Sequence, residues 1–195
     1  MSRSATITRI TKETDIRLTL DLDGTGTVSV STGVPFFDHM LDALGRHALL
    51  DLSVEATGDL EIDAHHTVED VGIVLGQAVA EALGDKAGIR RFGSAAVPMD
   101  EALVLAAIDI SGRGSLTYDV ELPIEIIGTF DTTLAREFLG AFASNAGLTL
   151  HVHSLAGENA HHIIEAVFKS VARSLYEAVS ADARVTGVPS TKGSL

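Results

Sequence analysis

The chain has 195 residues, the size of one domain or of two small ones that share a core. Its formal net charge of −13 argues against nucleic acid or an anionic membrane surface as a general partner, because both are negatively charged. The absence of cysteine excludes disulfides and thiolate metal ligands, and with no signal-like or membrane-spanning segment we expect a cytoplasmic protein.

Alternating apolar and polar residues predict strands in the first part of the chain. These strands cover residues 5–10, 16–22, 27–30 and 50–56. Asp23-Gly24 predicts a hairpin turn between the second and third of them. A helix is predicted to begin near Pro35, a residue favoured in first helical turns. An apolar stripe at helical spacing predicts a longer helix from His65 to about Leu83.

The second part of the chain repeats this arrangement. Strands are predicted over residues 102–110, 116–122 and 148–152, and helices over residues 134–143 and 159–180. A helix, a strand and a long helix therefore follow one another in both halves.

The two halves align as an internal repeat. Residues 39–44 correspond to residues 137–142, which lie 98 positions later. His-His-x-x-Glu occurs at 65–69 and again at 161–165, and this duplication argues against a chance match of common patterns. We predict an α+β fold of duplicated βα half-domains, each a mostly antiparallel sheet packed on two helices. The first half spans residues 1–90 and the second 91–195, in one compact pseudo-symmetric unit.

The duplicated motif indicates metal binding. Residues i and i+4 share a helix face, so His65 and Glu69 can bind one ion, whereas His66 points roughly 100° away. Adjacent histidines therefore require two metal ions per site, or ligands from another helix or chain. Nitrogen and oxygen donors without thiolate suit Mn²⁺, Fe²⁺, Zn²⁺, Co²⁺ or Ni²⁺. For any single histidine, a hydrogen-bonded structural role is the alternative.

Other polar residues are candidates for the same site. The repeat adds His39 and its counterpart Glu137 as possible ligands, although a helix-surface glutamate is normally only solvated. Basic residues are candidates for an anion pocket, since arginine and lysine bind phosphate, but read singly each is a surface charge. They are Arg90, Arg91, Arg113, Lys169 and Lys192 in Ser190-Thr191-Lys192-Gly193.

Several long segments, in order along essentially the whole chain, resemble the imidazoleglycerol-phosphate dehydratase family. They are Lys12–Thr14, Phe36–Leu41, Asp63–Asp70, Met99–Ala102, Ser111–Arg113, Gly157–Lys169 and Pro189–Gly193. The resemblance implies a ribosomal protein S5 domain 2-like fold. It also implies the manganese-dependent dehydration of D-erythro-imidazole glycerol phosphate to imidazole acetol phosphate in L-histidine biosynthesis, in the monofunctional form that lacks a fused phosphatase. Two Mn²⁺ ions per active site are implied, in trimers that assemble into a 24-mer with sites at subunit interfaces.

The resemblance also implies roles for individual residues. The metal ligands fall on His39, His65, His66, Glu69, Glu137, His161, His162 and Glu165. The substrate contacts fall on Glu13, His47, Arg91, Arg113, Lys169, Ser190 and Lys192. Glu165, Glu13 and Asp100 are the candidates for moving the carbon-bound proton, and the sequence does not rank them. Two positions depart from the family pattern: Glu137 replaces a histidine, and Ala43 replaces a glutamine present in some relatives.

Two other classes of function use similar residues. A binuclear metal-dependent phosphate-ester hydrolase would use the same ligand types to generate a hydroxide nucleophile. A non-catalytic metal-binding or shell-forming protein would account for the histidines and the acidic charge. It would not account for Arg113 or for the terminal Ser-x-Lys.

Overall fold

Ten strands and four helices are present in the computed structural model, which describes residues 3–195. The first half contains β1 (Ser4–Ile10), β2 (Thr14–Asp21), β3 (Val28–Ser31), α1 (Pro35–Ala48), β4 (Asp51–Gly58) and α2 (His65–Leu83). The second half contains β5 (Phe92–Met99), β6 (Ala102–Asp109), β7 (Ser115–Asp119), β8 (Ile126–Ile127), β9 (Phe130–Asp131), α3 (Leu134–Ala146), β10 (Thr149–Ala156) and α4 (Ala160–Val179). All four helices lie where the sequence predicts them.

Each half has a four-stranded sheet with the same topology. The strand orders are β1-β2-β4-β3 and β5-β6-β10-β7. In both sheets the last pair, β3 with β4 and β7 with β10, is parallel and the other pairs are antiparallel. A helix makes the crossover between the two parallel strands in each half. The matching strand order confirms the predicted duplication and the α+β fold class.

The four helices lie between the two sheets. Helix α2 packs on β1 and β2, and α4 packs on β5 and β6. Across the interface between the halves, α1 packs against α4 and α2 against α3. No helix within residues 3–195 combines the length and the apolar character needed to cross a membrane. Pairing α1 with α4 brings the beginnings of these two helices together, which positions the site described below.

The predicted hairpin at Asp23-Gly24 is wrong. Strand β4 lies between β2 and β3, so the latter two do not pair. The loop that contains this dipeptide crosses the beginning of β4, where the backbone N–H groups of Thr25 and Thr27 donate to Asp51 Oδ1 at 2.8 and 2.9 Å. Long-range pairing with β4 therefore overrides the local turn signal.

Strand β5 is an element that the sequence did not predict. It contains Gly93 and Pro98, which are unfavourable in strands, and proline is tolerated because β5 is the edge of its sheet. Gly93 also permits close contact with α4, since a Cβ at this residue would lie 2.1 Å from the Ser174 carbonyl oxygen. The short β8–β9 hairpin was likewise not predicted.

Helices α2 and α3 approach one another closely at Gly72. A Cβ at Gly72 would lie 2.7 Å from the Phe138 carbonyl oxygen and 3.0 Å from Ala141 Cβ. A methyl group there has to push two backbones apart. By contrast, the nearest atom to a Cβ at Gly140 of α3 would be Leu116 Cδ2 at 3.8 Å, an ordinary contact.

Gly72→Ala should therefore lower the free energy of unfolding by about 1–3 kcal/mol, the usual cost of overpacking. Gly140→Ala is the matched control and should raise it by about 1 kcal/mol, because alanine is the better helix former. Urea unfolding of the two metal-free variants beside the parent measures both effects. A stabilised Gly72→Ala variant would show that the two helices are not in backbone contact.

Candidate metal centre

Three predicted ligands form a cluster where α1 and α4 begin. Among residues 3–195, only His39, His161 and Glu165 form a group of potential ligand atoms within 4.8 Å of one another. Nε2 of His39 lies 3.4 Å from Glu165 Oε2, and Nε2 of His161 lies 3.2 Å from the same oxygen. Two imidazole nitrogens and one carboxylate oxygen therefore converge. This donor set suits a first-row divalent ion such as Mn²⁺.

The start of α4 fixes the orientation of this cluster. Asn159 is the N-cap residue, and its side-chain oxygen accepts from the backbone N–H groups of His161 at 2.9 Å and His162 at 3.3 Å. The Phe36 ring packs edge-on against the His161 ring, with 5.0 Å between centroids. Glu165 follows His161 by one helical turn and therefore lies on the same face.

Glu165 is held as a buried carboxylate. Its side chain is 9% exposed, and Lys169 Nζ lies 2.6 Å from Oε1. Burial opposes ionisation, but the hydrogen bond and charge of Lys169, with the contribution of His39, outweigh it and lower the pKa of Glu165. Lysine therefore occupies one oxygen while the other faces the two histidines, which leaves Oε2 as a negatively charged donor.

The ligands predicted from the first repeat are less closely grouped. His65 Nε2 lies 3.7 Å from Glu69 Oε2, and both side chains are nearly half exposed. Glu137 is exposed on α3, and its carboxylate is outside any three-ligand group within the described part of the chain. The structure thus brings together three of the eight predicted ligands, pairs two more, and leaves Glu137 apart from them.

The second histidine of each motif contacts a carboxylate through Nδ1. His66 Nδ1 lies 3.0 Å from Asp59 Oδ2, and His162 Nδ1 lies 2.7 Å from Glu101 Oε2. These hydrogen bonds raise the pKa of both histidines. Backbone N–H donation and the His162 contact lower the pKa of Glu101 to about 2. Asp59 and Glu101 were not predicted as site residues, because no spacing rule connects them to the histidines.

Two candidates for proton transfer lie near these histidines. Asp100 Oδ2 is 3.6 Å from His162 Nε2, and Asp100 has a φ of 48°, a left-handed conformation that is uncommon outside glycine. Glu13 is exposed in the turn between β1 and β2, and its charge contributes to the raised pKa of His66. The turns that follow β1 and β5 therefore each bring a carboxylate toward a motif histidine.

Four predicted anion-binding residues lie around the C-terminal segment. Arg91 pairs with Asp109 at 2.7 and 3.2 Å and donates to the Pro189 carbonyl oxygen at 2.9 Å, which anchors this segment. Ser190 and Lys192 follow directly, and the Lys192 N–H donates to Ser190 Oγ at 3.2 Å. Arg113 adjoins Gly112, beside which the carboxyl carbon of the last residue lies. The guanidinium of Arg91 is thus already engaged with protein groups.

The anion-binding group and the metal cluster lie at opposite ends of α4. The Arg91 backbone N–H donates to the Ala178 carbonyl oxygen, 13 residues beyond Glu165. At 1.5 Å per residue this is about 20 Å along the helix. Lys169 and His47 instead belong to the metal end, where burial and the charge of Lys169 lower the pKa of His47. Within one chain, the predicted anion-binding residues around the C-terminal segment therefore lie apart from the cluster of His39, His161 and Glu165.

Comparisons with known proteins give one consistent result. The imidazoleglycerol-phosphate dehydratase family model matches residues 32–175. Relatives named imidazoleglycerol-phosphate dehydratase from Acidiphilium cryptum and Dinoroseobacter shibae are 63% and 64% identical, over 100% and 99% of this chain and 100% of each relative. The crystal structure of the Staphylococcus aureus imidazoleglycerol-phosphate dehydratase aligns with a TM-score of 0.84 at 39% identity, covering 92% of this chain and 99% of that one. The crystal structure of imidazoleglycerol-phosphate dehydratase (IGPD) from Pyrococcus furiosus also aligns with a TM-score of 0.84 at 39% identity, covering 97% of this chain and 100% of that one.

Proposed function

The chain belongs to the imidazoleglycerol-phosphate dehydratase family of hydro-lyases, and from this we propose that it dehydrates D-erythro-imidazole glycerol phosphate to imidazole acetol phosphate in L-histidine biosynthesis. The observation that carries the proposal is the convergence of His39, His161 and Glu165, which offers donors for a divalent ion. The phosphorylated imidazole substrate is anionic, so the acidic chain must present a local basic pocket to it. We place this enzyme in the cytoplasm.

We propose two Mn²⁺ ions per active site. They would be held by His39, His65, His66, Glu69, Glu137, His161, His162 and Glu165. These side chains supply only nitrogen and oxygen donors, and the observed cluster accords with such a set. A bound ion would supply Lewis-acid polarisation of an imidazole ring nitrogen or of the departing hydroxyl. Glu137 adds a carboxylate where the resemblance implies a histidine, and a carboxylate oxygen is also an accepted Mn²⁺ donor.

The chain's own residues would divide binding from proton transfer. Lys169 holds one oxygen of Glu165 at 2.6 Å, which supports a role for Glu165 as an ionised ligand. Glu13 and Asp100 then remain as the accessible carboxylates that would move the carbon-bound proton. The phosphate would be bound by Arg113, Ser190 and Lys192, and Arg91 would hold the segment that carries Ser190 and Lys192 in place through Pro189. Phosphate binding would supply remote energy for positioning the reacting carbon.

We further propose that each active site is shared between chains. The anion-binding group lies about 20 Å along α4 from the metal cluster. Only five bonds of about 1.5 Å each separate the imidazole ring from the phosphorus of the substrate. One molecule of substrate therefore cannot reach both groups of a single chain. A symmetric homo-oligomer, built of trimers that assemble into a 24-mer, would complete the site from neighbouring chains.

Removal of the metal tests this function. Chelation should abolish formation of imidazole acetol phosphate, and Mn²⁺ should restore it best among divalent ions. Light scattering should show a particle of about 490 kDa with Mn²⁺, for 24 chains of 20.4 kDa, and a shift toward trimers after chelation, since a shared metal couples assembly to occupancy. Full turnover by metal-free protein would overturn the proposal. Release of inorganic phosphate without dehydration would instead support the hydrolase, and tight metal binding without turnover would support a non-catalytic protein.

A further inference from the structure

We infer that Asp59 and Glu101 are positioning residues that fix the ring orientation and the tautomer of His66 and His162, so that each histidine presents Nε2 for metal binding. The inference rests on the proposed metal-dependent function. It adds to that site two residues for which neither the repeat nor the family resemblance implied a role. Ligating histidines commonly donate their other ring N–H to a carboxylate, which orients the ring and increases its basicity.

Asp59 contacts His66 from the loop that follows β4. Both of its carboxylate oxygens lie near His66 Nδ1, at 3.0 and 3.2 Å, and its side chain is 15% exposed. A carboxylate can only accept, so Nδ1 has to carry the proton. Nε2 is then the nitrogen with a free lone pair. The His66 side chain is 34% exposed, so part of the ring is open to solvent.

Glu101 uses its two oxygens differently. Oε2 lies 2.7 Å from His162 Nδ1, while Oε1 accepts from the backbone N–H groups of Glu158 at 3.3 Å and Asn159 at 2.9 Å. Glu101 therefore joins the β5–β6 turn to the residues that begin α4. The Glu101 side chain therefore orients the His162 ring and also holds the residues that begin α4, the helix that contains His162.

The two carboxylates do not occupy equivalent positions in the repeat. Asp59 directly follows β4, whereas the residue that directly follows the equivalent strand β10 is Gly157. Glu101 lies in the β5–β6 turn, whose counterpart is the β1–β2 turn. The contact therefore cannot be a simple remnant of duplication. Two different parts of the chain each supply a carboxylate to Nδ1 of one of the two equivalent histidines, His66 and His162. This points to a requirement for the carboxylate–histidine contact itself.

The Mn²⁺ dissociation constant of the full-length protein, measured by titration calorimetry after chelation, tests the inference. Asp59→Ala and Glu101→Ala should each weaken binding by about 10–100-fold, the usual effect of losing such a partner. Asp119→Ala is the matched control, because Asp119 makes the same kind of contact with Nδ1 of His153, at 3.3 Å, on a histidine outside the proposed site. The Mn²⁺ dissociation constant of Asp119→Ala should equal that of the parent.

The amide variants separate positioning from a purely structural role. In Asp59→Asn, the amide oxygen can still accept from His66 Nδ1, so Mn²⁺ affinity should return to within about threefold of the parent, since the hydrogen bond is kept. In Glu101→Gln, the one oxygen is required by the backbone donors at Glu158 and Asn159. Its NH₂ group then faces His162 Nδ1 and forces the ring proton onto Nε2. This variant should keep the thermal stability of the parent and still lose affinity as the alanine variant does.

The outcomes distinguish this inference from the proposed function. Parent protein that binds no Mn²⁺ contradicts the proposed function itself. Parent protein that binds Mn²⁺, with unchanged affinity in both alanine variants, overturns only the positioning roles. The positioning role of Glu101 is also overturned if Glu101→Ala loses both Mn²⁺ affinity and stability in the metal-free state while Glu101→Gln keeps the affinity of the parent.

Discussion

Glu165→Gln should lower the metal content per chain and reduce turnover by about 100-fold or more, because losing even a residue that only supports a metal ligand typically costs about 10–100-fold in metal affinity or activity. Glutamine preserves the size of the side chain but removes the negative charge that Lys169, His39 and His161 surround. The metal-binding cluster would then consist of two imidazole rings and an amide beside a lysine. Steady-state assays and elemental analysis measure the two losses.

Glu177→Gln is the control for that substitution. Glu177 lies near the other end of α4, where it accepts from the Ser94 backbone N–H at 3.1 Å and pairs with Arg90. We expect its turnover and metal content to match the parent. If Glu165→Gln keeps both its metal and its turnover, the cluster at the start of α1 and α4 is not the metal centre.

Two inactive variants should regain activity when they are assembled together. Arg113→Ala combined with Lys192→Ala removes two charged hydrogen-bond donors to phosphate, and each is worth about 1.5–3 kcal/mol. This double variant should retain its metal and lose substrate affinity, whereas Glu165→Gln loses the metal side. If the two groups of a site come from different chains, a random one-to-one mixture should have about a quarter of its sites intact. The chain that supplies the metal group has Glu165 with probability one half, and the chain that supplies the anion group has Arg113 and Lys192 with probability one half.

Mixing is performed by chelating both variants, combining them and adding Mn²⁺. Recovery of about a quarter of the parent turnover supports sharing of sites between chains. If the turnover of the mixture stays at the average of the turnovers of the two variants, the anion group and the metal group of one chain bind the same substrate molecule. Mixing either variant with itself controls for the chelation step.

Much of the fold was predictable because local patterns and long-range packing agree. The helices have continuous apolar stripes, and the repeat of His-His-x-x-Glu revealed the duplication before any sheet was known. The hairpin predicted at Asp23-Gly24 is wrong because β4, which follows α1 in the chain, lies between the two strands that this turn would have joined. Strand β5 was not predicted because it contains Gly93, which has a low strand propensity but permits the close contact with α4.

The site was predictable only where a motif lies on one helix. The i, i+4 pairs follow from helix geometry, and Glu165 with His161 illustrates this directly. The carboxylates that contact His66 and His162 come from separate loops, so tertiary structure alone reveals them. The division of the chain at residue 90 and the membership of Glu137 in the metal site stay predictions.

The ligand side chains lie at the ends of helices whose interiors are already filled with apolar groups. His39 and His161 are 51% and 42% exposed, whereas Leu41 and Val167, within the same two helices, are fully buried. We therefore expect the chain to fold without an ion, in contrast to small domains that fold only around a metal. In the proposed assembly, cells short of manganese would accumulate folded but idle subunits. Such subunits would become active when the ion is available again, without new protein synthesis.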